Sequence, residues 1–455
     1  MLPRTAPQGP FPIQHTFVVQ FAAETTLDAM GLTGRVEHLV SGRATRFQSV
    51  QELFAFMAAR LQEVQQTAVE NAEERHCETN AIGKERSMSV TLPPFPAART
   101  DMRDTLVTRL FEANLATYDL ATIYLGDRLG LYTALHESGP MTAAQLAART
   151  GTHERYIREW LEQQTVTGIL DVEEAQVDAS ARRYGIPAEH AEVLLDRDSL
   201  SYLAPLGRFT IGVLSGLAKV LEAFKTGGGV AYPDYGVDAR EGQAEANRTA
   251  FVNLLGAQWL PAMPDLHARL QADPPARVAD MACGTGWSSL AMARAYPKVV
   301  IDGFDADDAS IVLAQQHALA EGLSDRVTFA VRDAADASLQ GAYDVVTIFE
   351  ALHDMARPVE ALRAAKRLLR DGGSVLIADE RVHERFMPHN ADERLFYGWS
   401  VLFCLPTGMA ETPSAGTGAV MRPDTLQRYA AEAGFRKVEV LPIAHDFWRF
   451  YRLYP

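Results

Sequence analysis

The sequence predicts an α/β chain with a doubly wound parallel sheet at its C-terminal end. A winged helix precedes that sheet, and a small α+β module precedes the winged helix. Three observations carry this prediction. From residue 277 onward, short apolar runs alternate with helical stretches, the pattern that builds a parallel sheet covered by helices on both faces. The first run, 277–282, enters a turn of small residues, Cys283-Gly284-Thr285-Gly286, and a helix follows from Trp287. The next run, 299–305, closes on Asp305, at roughly the twenty-residue offset where such a sheet grips a ribose through its hydroxyls. Glycines in the turn remove a Cβ where backbone and ligand must come close. The carboxyl edge of the sheet is therefore expected to hold a nucleoside-type cofactor.

Composition bounds the remaining possibilities. A chain of 455 residues suggests two to four domains, and 47% hydrophobic residues are ample for packed cores. A formal net charge of −15 makes broad contact with a phosphate backbone a poor expectation. Cys77, Cys283 and Cys404 lie far apart, so they give neither a metal-spaced pair nor a disulfide framework. Cysteine usage of this kind points to the reducing cytoplasm. Residues 1–14 lack an apolar core of signal-peptide length. Residues 200–224 are apolar but broken by Arg208, Lys219 and Glu222, and the uncharged run 395–410 is short for a bilayer. No membrane span is expected.

Five blocks follow in order. Residues 1–64 form the accessory module: strands near 16–21, 34–40 and 44–47, then a helix opened by Ser49 with Glu52 three residues on. Residues 65–100 form a polar linker. Residues 101–198 form the winged helix, with one long helix first. Thr142 then caps a short helix, Gly151 ends it, and Thr152 caps the next, which carries Ile157, Trp160 and Leu161. Two wing strands follow near 168–172 and 183–186. Residues 199–270 form a helical connector contributing to the substrate pocket, and residues 271–455 carry the sheet, with seven strands expected.

The last block resembles the class I S-adenosylmethionine-dependent methyltransferases. Their usual first motif is Asp-x-Gly-x-Gly-x-Gly. Here it is Asp280-Met281-Ala282-Cys283-Gly284-Thr285-Gly286, with Ala282 where the first glycine stands. The turn has no lysine, so it is not a phosphate-gripping P-loop. It also lacks the Gly-x-Gly-x-x-Gly spacing of a nicotinamide dinucleotide site. The resemblance implies a Rossmann-like seven-stranded fold with S-adenosyl-L-methionine as cofactor. It places Asp305 and Ala306 at the ribose, and Asp333 and Ala334 at the adenine. Ala282, Gly284 and Gly286 let the backbone approach the methionine part. Asp280 fixes the loop or meets the ammonium through water, and Glu350 touches that ammonium.

The segment Glu350-Ala351-Leu352-His353-Asp354-Met355 follows the fourth strand, where the fold faces the sulfonium methyl. Small-molecule O-methyltransferases carry a His-Asp pair at this point, with the histidine as general base, and a winged helix used for dimerisation. The chain is similar on both counts from about residue 103 onward. His353 is thus the expected base, with Asp354 beside it, acting on a small-molecule acceptor, with O-methylation and a homodimer expected. Tyr235, Trp259, Phe396 and Trp399 are candidates to line the acceptor pocket, with Phe403 and Met409. The loop 408–421 is a candidate lid. His38, His76, His136, His153 and His389 show no metal spacing, so no metal site is expected.

The competing reading is a regulator that binds the cofactor as a signal and DNA through the winged helix. A recognition helix needs donors for the groove. Arg155, Arg158, Gln163 and Gln164 offer some, but Glu154, Glu159 and Glu162 interrupt them. Nucleic acid is therefore the weaker expectation.

Overall fold

The computed structural model describes residues 17–21, 34–38, 44–47, 49, 52–53, 55–57 and 100–455. The chain divides into two units, residues 1–115 and 116–455.

In the first unit, β1 (Phe17–Phe21), β2 (Gly34–His38) and β3 (Ala44–Phe47) form an antiparallel sheet in that order. Val36 and Phe47 are buried. Ser49 Oγ accepts from the Glu52 amide at 3.2 Å, the expected cap of the following helix. The rest of the expected accessory module, and the linker up to residue 99, lie outside the described residues.

A long helix, Thr100–Arg128, leads into the winged helix. Helix Ala143–Thr150 starts in a capping box between Thr142 and Gln145 and ends at Gly151, whose φ is 68°. The next helix, Glu154–Val166, is capped by His153, whose ring accepts from the Arg155 amide. Thr152, the cap expected from sequence, instead shares a 2.8 Å hydroxyl–hydroxyl bond with Thr150. Ile157, Trp160 and Leu161 are buried with Leu131, Tyr132, Leu135 and Leu146. The wing is short: β4 (Asp171–Val172) pairs antiparallel with β5 (Tyr184–Gly185). The side chains that would read a groove are engaged elsewhere. Gln163 donates to Asp119 and the buried Gln164 to Thr122, while Arg155 pairs with Glu159 and Arg158 with Glu154.

The connector contains helices Ala204–Ser215, Leu217–Thr226 and Gly236–Ala250, the last continuing as a wider π-wound stretch, Phe251–Trp259. Two glycines set its geometry. A Cβ on Gly212 would fall 2.2 Å from the Ala239 nitrogen, and one on Gly242 would fall 2.4 Å from the Phe209 nitrogen. The helices Ala204–Ser215 and Gly236–Ala250 therefore touch backbone to backbone. Gly212→Ala is expected to cost at least about 2 kcal/mol, because the clash is with backbone that must shift rather than with a side chain that can rotate. Urea unfolding checks this, and an unchanged midpoint would show that the two helices are not in contact.

The main sheet has seven strands: β6 (Arg277–Met281), β7 (Val300–Asp305), β8 (Val327–Val331), β9 (Tyr343–Phe349), β10 (Leu369–Glu380), β11 (Lys437–Val440) and β12 (Trp448–Tyr454). Their order is β11-β12-β10-β9-β6-β7-β8. The strands from β6 to β10 pair parallel, as expected. β12 runs antiparallel to both β10 and β11, so the sheet is mostly parallel. The link between β11 and β12, residues 441–447, is shorter than the dozen or more residues a parallel crossover needs. Alternate residues feed two cores, Val278, Val345 and Leu376 on one face and Ala279, Val346, Val375 and Ile377 on the other. Strand order reverses between β6 and β9, and at such a switch point the strand ends splay into a crevice. Among the described residues, no single helix is long and apolar enough to cross a membrane.

Candidate active site

A cavity of about 430 Å³ opens at the carboxyl ends of β6, β7, β8 and β9, within the usual range for a small-molecule site. Of the residues expected at the cofactor, Ala282, Gly284, Asp305, Ala306, Asp333, Ala334 and Glu350 line it, and so does Asp354. Tyr232, Arg240 and Asn247 close the opposite wall from the connector.

The turn after β6 explains which small residues matter. Ala282, Gly284 and Gly286 have φ of 55°, 53° and 87°. Ala282 therefore holds a left-handed conformation that costs a non-glycine residue about 1–2 kcal/mol. A Cβ on Gly284 would meet nothing within 4 Å, so this residue faces open space. Gly286 does a different job from the one expected. It does not line the cavity, and a Cβ there would fall 2.6 Å from the Phe329 ring on β8, so it serves close packing. Asp280 also stays out of the cavity. It is buried and accepts from Ser288 and Ser289 at 2.6 Å and from Thr347 at 2.7 Å, which fixes the loop to the helix and to β9.

Asp305 accepts from the amides of Gly284 and Asp307, each at 2.8 Å. Burial pushes its carboxyl up to about 6, although these two amides pull the other way. Asp307 is paired with Arg240 at 2.6 Å and caps the following helix through the Ser310 amide. Asp333 is exposed on the cavity rim, where it accepts from the Ala335 amide at 2.8 Å and pairs with Arg357.

The other end of the cavity is built on two neighbouring strand ends. Glu350, just past β9, has φ of 52° and is held by the side chains of Asn247 and Trp448. Burial pushes its carboxyl up to about 7 against the pull of nearby His353. His353 is only 1% exposed and does not line the cavity. Its Nδ1 lies 2.8 Å from Asp379 Oδ1 and 2.9 Å from Glu380 Oε2, both at the end of β10. Its Nε2 lies 3.1 Å from Asp354 Oδ1, an atom with no hydrogen-bond partner. Burial alone would lower the affinity of the imidazole for its proton, but Asp354, Asp379 and Glu380 outweigh it and hold the ring well above the ordinary histidine range. The expected catalytic pair is thus rearranged. Asp354 meets the cavity, and His353 stands behind it.

The four expected pocket residues do not line the cavity. Tyr235 is buried, donates to the Leu402 carbonyl at 2.8 Å and packs on Phe403. Trp259 is buried against Trp448 and Phe450. Phe396 is buried beside Trp399, which also meets Phe209. Tyr235, Trp259 and Trp399 belong to or pack against core clusters instead. Instead Tyr232, from the same aromatic loop as Tyr235, forms part of the cavity wall. The segment 408–421 is tied down rather than free. The Ala415 amide donates to the Ala356 carbonyl and the Gly418 amide to the His353 carbonyl, while Ala410 and Glu411 reach the cavity.

The profile of the family described as "Methyltransferase domain" matches residues 272–433, and that of the "Rv2258c-like winged HTH domain" matches residues 118–196. The ubiquinone biosynthesis O-methyltransferase of Burkholderia pseudomallei (strain 1710b) is 30% identical over 197 residues, covering 43% of this chain and 76% of that protein. The chain belongs to the S-adenosylmethionine-dependent methyltransferases. The corresponding protein of Pseudomonas aeruginosa (strain LESB58) is 25% identical over 198 residues, with the same coverage of 43% and 76%. The structure of mitomycin 7-O-methyltransferase MmcR superposes with a TM-score of 0.59 at 19% identity, covering 78% of this chain and 99% of that one. Human N-acetylserotonin methyltransferase in complex with SAM superposes with a TM-score of 0.59 at 16% identity, covering 80% and 99%. These two likenesses show a shared fold.

The cavity of this methyltransferase fits its cofactor. Open space stands over Gly284, where a Cβ would intrude, and Asp305 presents a partly buried carboxylate beside it. Glu350 supplies a second partly buried carboxyl toward the end where positive charge would sit. Sequence reasoning missed Asn247, Tyr232 and Arg240, which come from the connector, and Asp379 and Glu380. For the last two a signal existed: they end the strand paired with β9, so the sheet brings them beside His353.

Proposed function

We propose that this methyltransferase moves a methyl group to an oxygen of a small-molecule acceptor, with His353 as the base. The observation that carries the reading is the continuity of one cavity from Asp305 to Asp354, with Asp354 Oδ1 3.1 Å from His353 Nε2. When bound, S-adenosylmethionine supplies the methyl on a positively charged sulfur. Asp305 holds the ribose hydroxyls, Asp333 and Ala334 flank the adenine, and Glu350 holds the methionine ammonium. An acceptor hydroxyl docks at Asp354, which orients it, and its proton passes to Nε2 in those molecules whose His353 ring is neutral, a fraction that the three carboxylates keep small near neutral pH. Asp379 fixes the tautomer and tilt of the ring from the Nδ1 side. Because the sulfonium leaves as a neutral thioether, alignment is most of what the protein contributes.

The ubiquinone biosynthesis relatives are named as O-methyltransferases, which favours oxygen in the acceptor. Within the second unit, Tyr118 and Leu125 of the long helix and Leu129 just after it are exposed. A second copy covering these apolar side chains would make the homodimer expected of the winged helix. The regulator reading is not favoured, since Gln163 and Gln164 are engaged within the winged helix.

The test uses the full chain with methyl-labelled S-adenosylmethionine and a metabolite extract. Label recovered in a small-molecule methyl ether is the expected result. Label on nitrogen or carbon, label in nucleic acid, or no transfer at all would overturn the proposal.

A further inference from the structure

The sequence offers no metal-spaced motif, yet folding gathers a mixed donor set at the inner end of the cavity. Donor atoms of His353, Asp354 and Cys404 all lie within 4.8 Å of one another. Cys404 stands 51 residues after His353 and closes a π-wound turn, Ser400–Cys404, a local widening often found at functional sites. His353 and Cys404 are 1% and 5% exposed, and Asp354 opens to the cavity. On the far side of the ring, Asp379 and Glu380 meet Nδ1. That is the carboxylate–histidine pairing that orients a metal-binding imidazole. A second observation points the same way. Asp354 Oδ1, on the Nε2 side of the ring, and Asp379 Oδ2, on a side chain only 1% exposed, are buried acceptors without a hydrogen-bond partner. This corner of the protein is short of positive charge.

We infer that His353 Nε2, Asp354 and Cys404 Sγ form a binding site for a thiophilic divalent cation of the Zn²⁺ class. A soft thiolate with imidazole and carboxylate selects Zn²⁺ over Mg²⁺ or Ca²⁺. Bond lengths of about 2.0–2.3 Å bring tetrahedral donors to roughly 3.5 Å apart, so binding draws the three atoms inward. Binding releases protons, since Cys404 ligates as the thiolate and His353 as the neutral imidazole. The inference goes beyond the proposed methyl transfer and rests on it in one respect. A cation at Nε2 occupies the lone pair that would take the acceptor's proton, so metal and acceptor exclude one another.

The experiment uses the full chain without an acceptor and Co²⁺ as the probe. A thiolate-to-cobalt charge-transfer band in the near ultraviolet, displaced by one equivalent of Zn²⁺, is expected. Cys404→Ser should abolish the band, while Cys77→Ser and Cys283→Ala should keep it. Asp379→Asn should weaken Zn²⁺ binding about 10–100-fold by calorimetry. Absence of the band, or its survival in Cys404→Ser, would overturn the site. Calorimetry with S-adenosylmethionine on the same samples separates the two readings. Loss of cofactor binding with the band intact would sink the methyl-transfer proposal and leave the metal site standing.

Discussion

Replacing His353 with alanine is expected to slow methyl transfer by about 10²–10⁴-fold, the usual contribution of a positioned base, while affinity for S-adenosylmethionine stays near that of the unaltered chain. The separation follows from placement. His353 does not line the cavity; of the groups proposed to hold the cofactor, Asp305 and Asp333 come from other strand ends, and Glu350, three residues before His353 on the same strand end, does line it. Single-turnover transfer of labelled methyl measures the first quantity and calorimetry the second. Removing the ring also leaves Asp379 and Glu380 buried without their shared partner, a loss of about 3–5 kcal/mol for a broken buried ion pair. His353→Gln keeps a polar group there and is the companion variant for a chain that must stay folded. Transfer at the full rate in either folded variant would remove His353 from the chemistry.

The second large effect concerns Asp305. Asp305→Asn should weaken S-adenosylmethionine binding by about 10–100-fold, since a hydrogen bond to a charged group contributes about 1.5–3 kcal/mol. The same residue predicts a pH dependence with a definite sign. Its carboxyl sits at about 6, raised above its ordinary value by burial. Ribose hydroxyls donate to the ionised form. The share of cofactor affinity that Asp305 contributes should therefore be full above that value and fall about tenfold for each unit below it. In the ligand-free chain the linkage runs the other way. A raised carboxyl contributes stability that is complete below its unfolded value and is lost as pH rises through about 6. Calorimetry across the range and melting curves of the free chain should thus slope in opposite directions. A cofactor affinity that does not change with pH across that interval would move the ribose contact to another residue.

Local signals carried much of this site. Asp280, Ala282, Gly284 and Asp305 fall in a motif whose parts are adjacent in sequence, and the alternation of apolar runs marked the strands that bring them together. The aromatic residues were harder. Trp259 and Phe396 lie on helical spacings that look alike whether a ring faces a core or a cavity, and here packing won. The polar neighbours of His353 were harder still. Asp379 and Glu380 are placed by strand pairing, Cys404 by a helix some fifty residues on, and Asn247 by the connector. None of these distances is written in spacing. The cap at His153 in place of Thr152 is a smaller case: Thr150 competes for the Thr152 hydroxyl, and the helix begins one residue later.

The glycine seam between the helices Ala204–Ser215 and Gly236–Ala250 has a mechanical consequence. Main chain against main chain leaves no rotamers to absorb displacement, so the two cylinders travel as a single bar. That bar carries Arg240 and Asn247 into the cavity wall, and it is tied to the winged helix by Arg208 on Asp127 and by Asp238 on Tyr124. A push on the winged helix is therefore delivered to the roof of the cavity with little lost on the way.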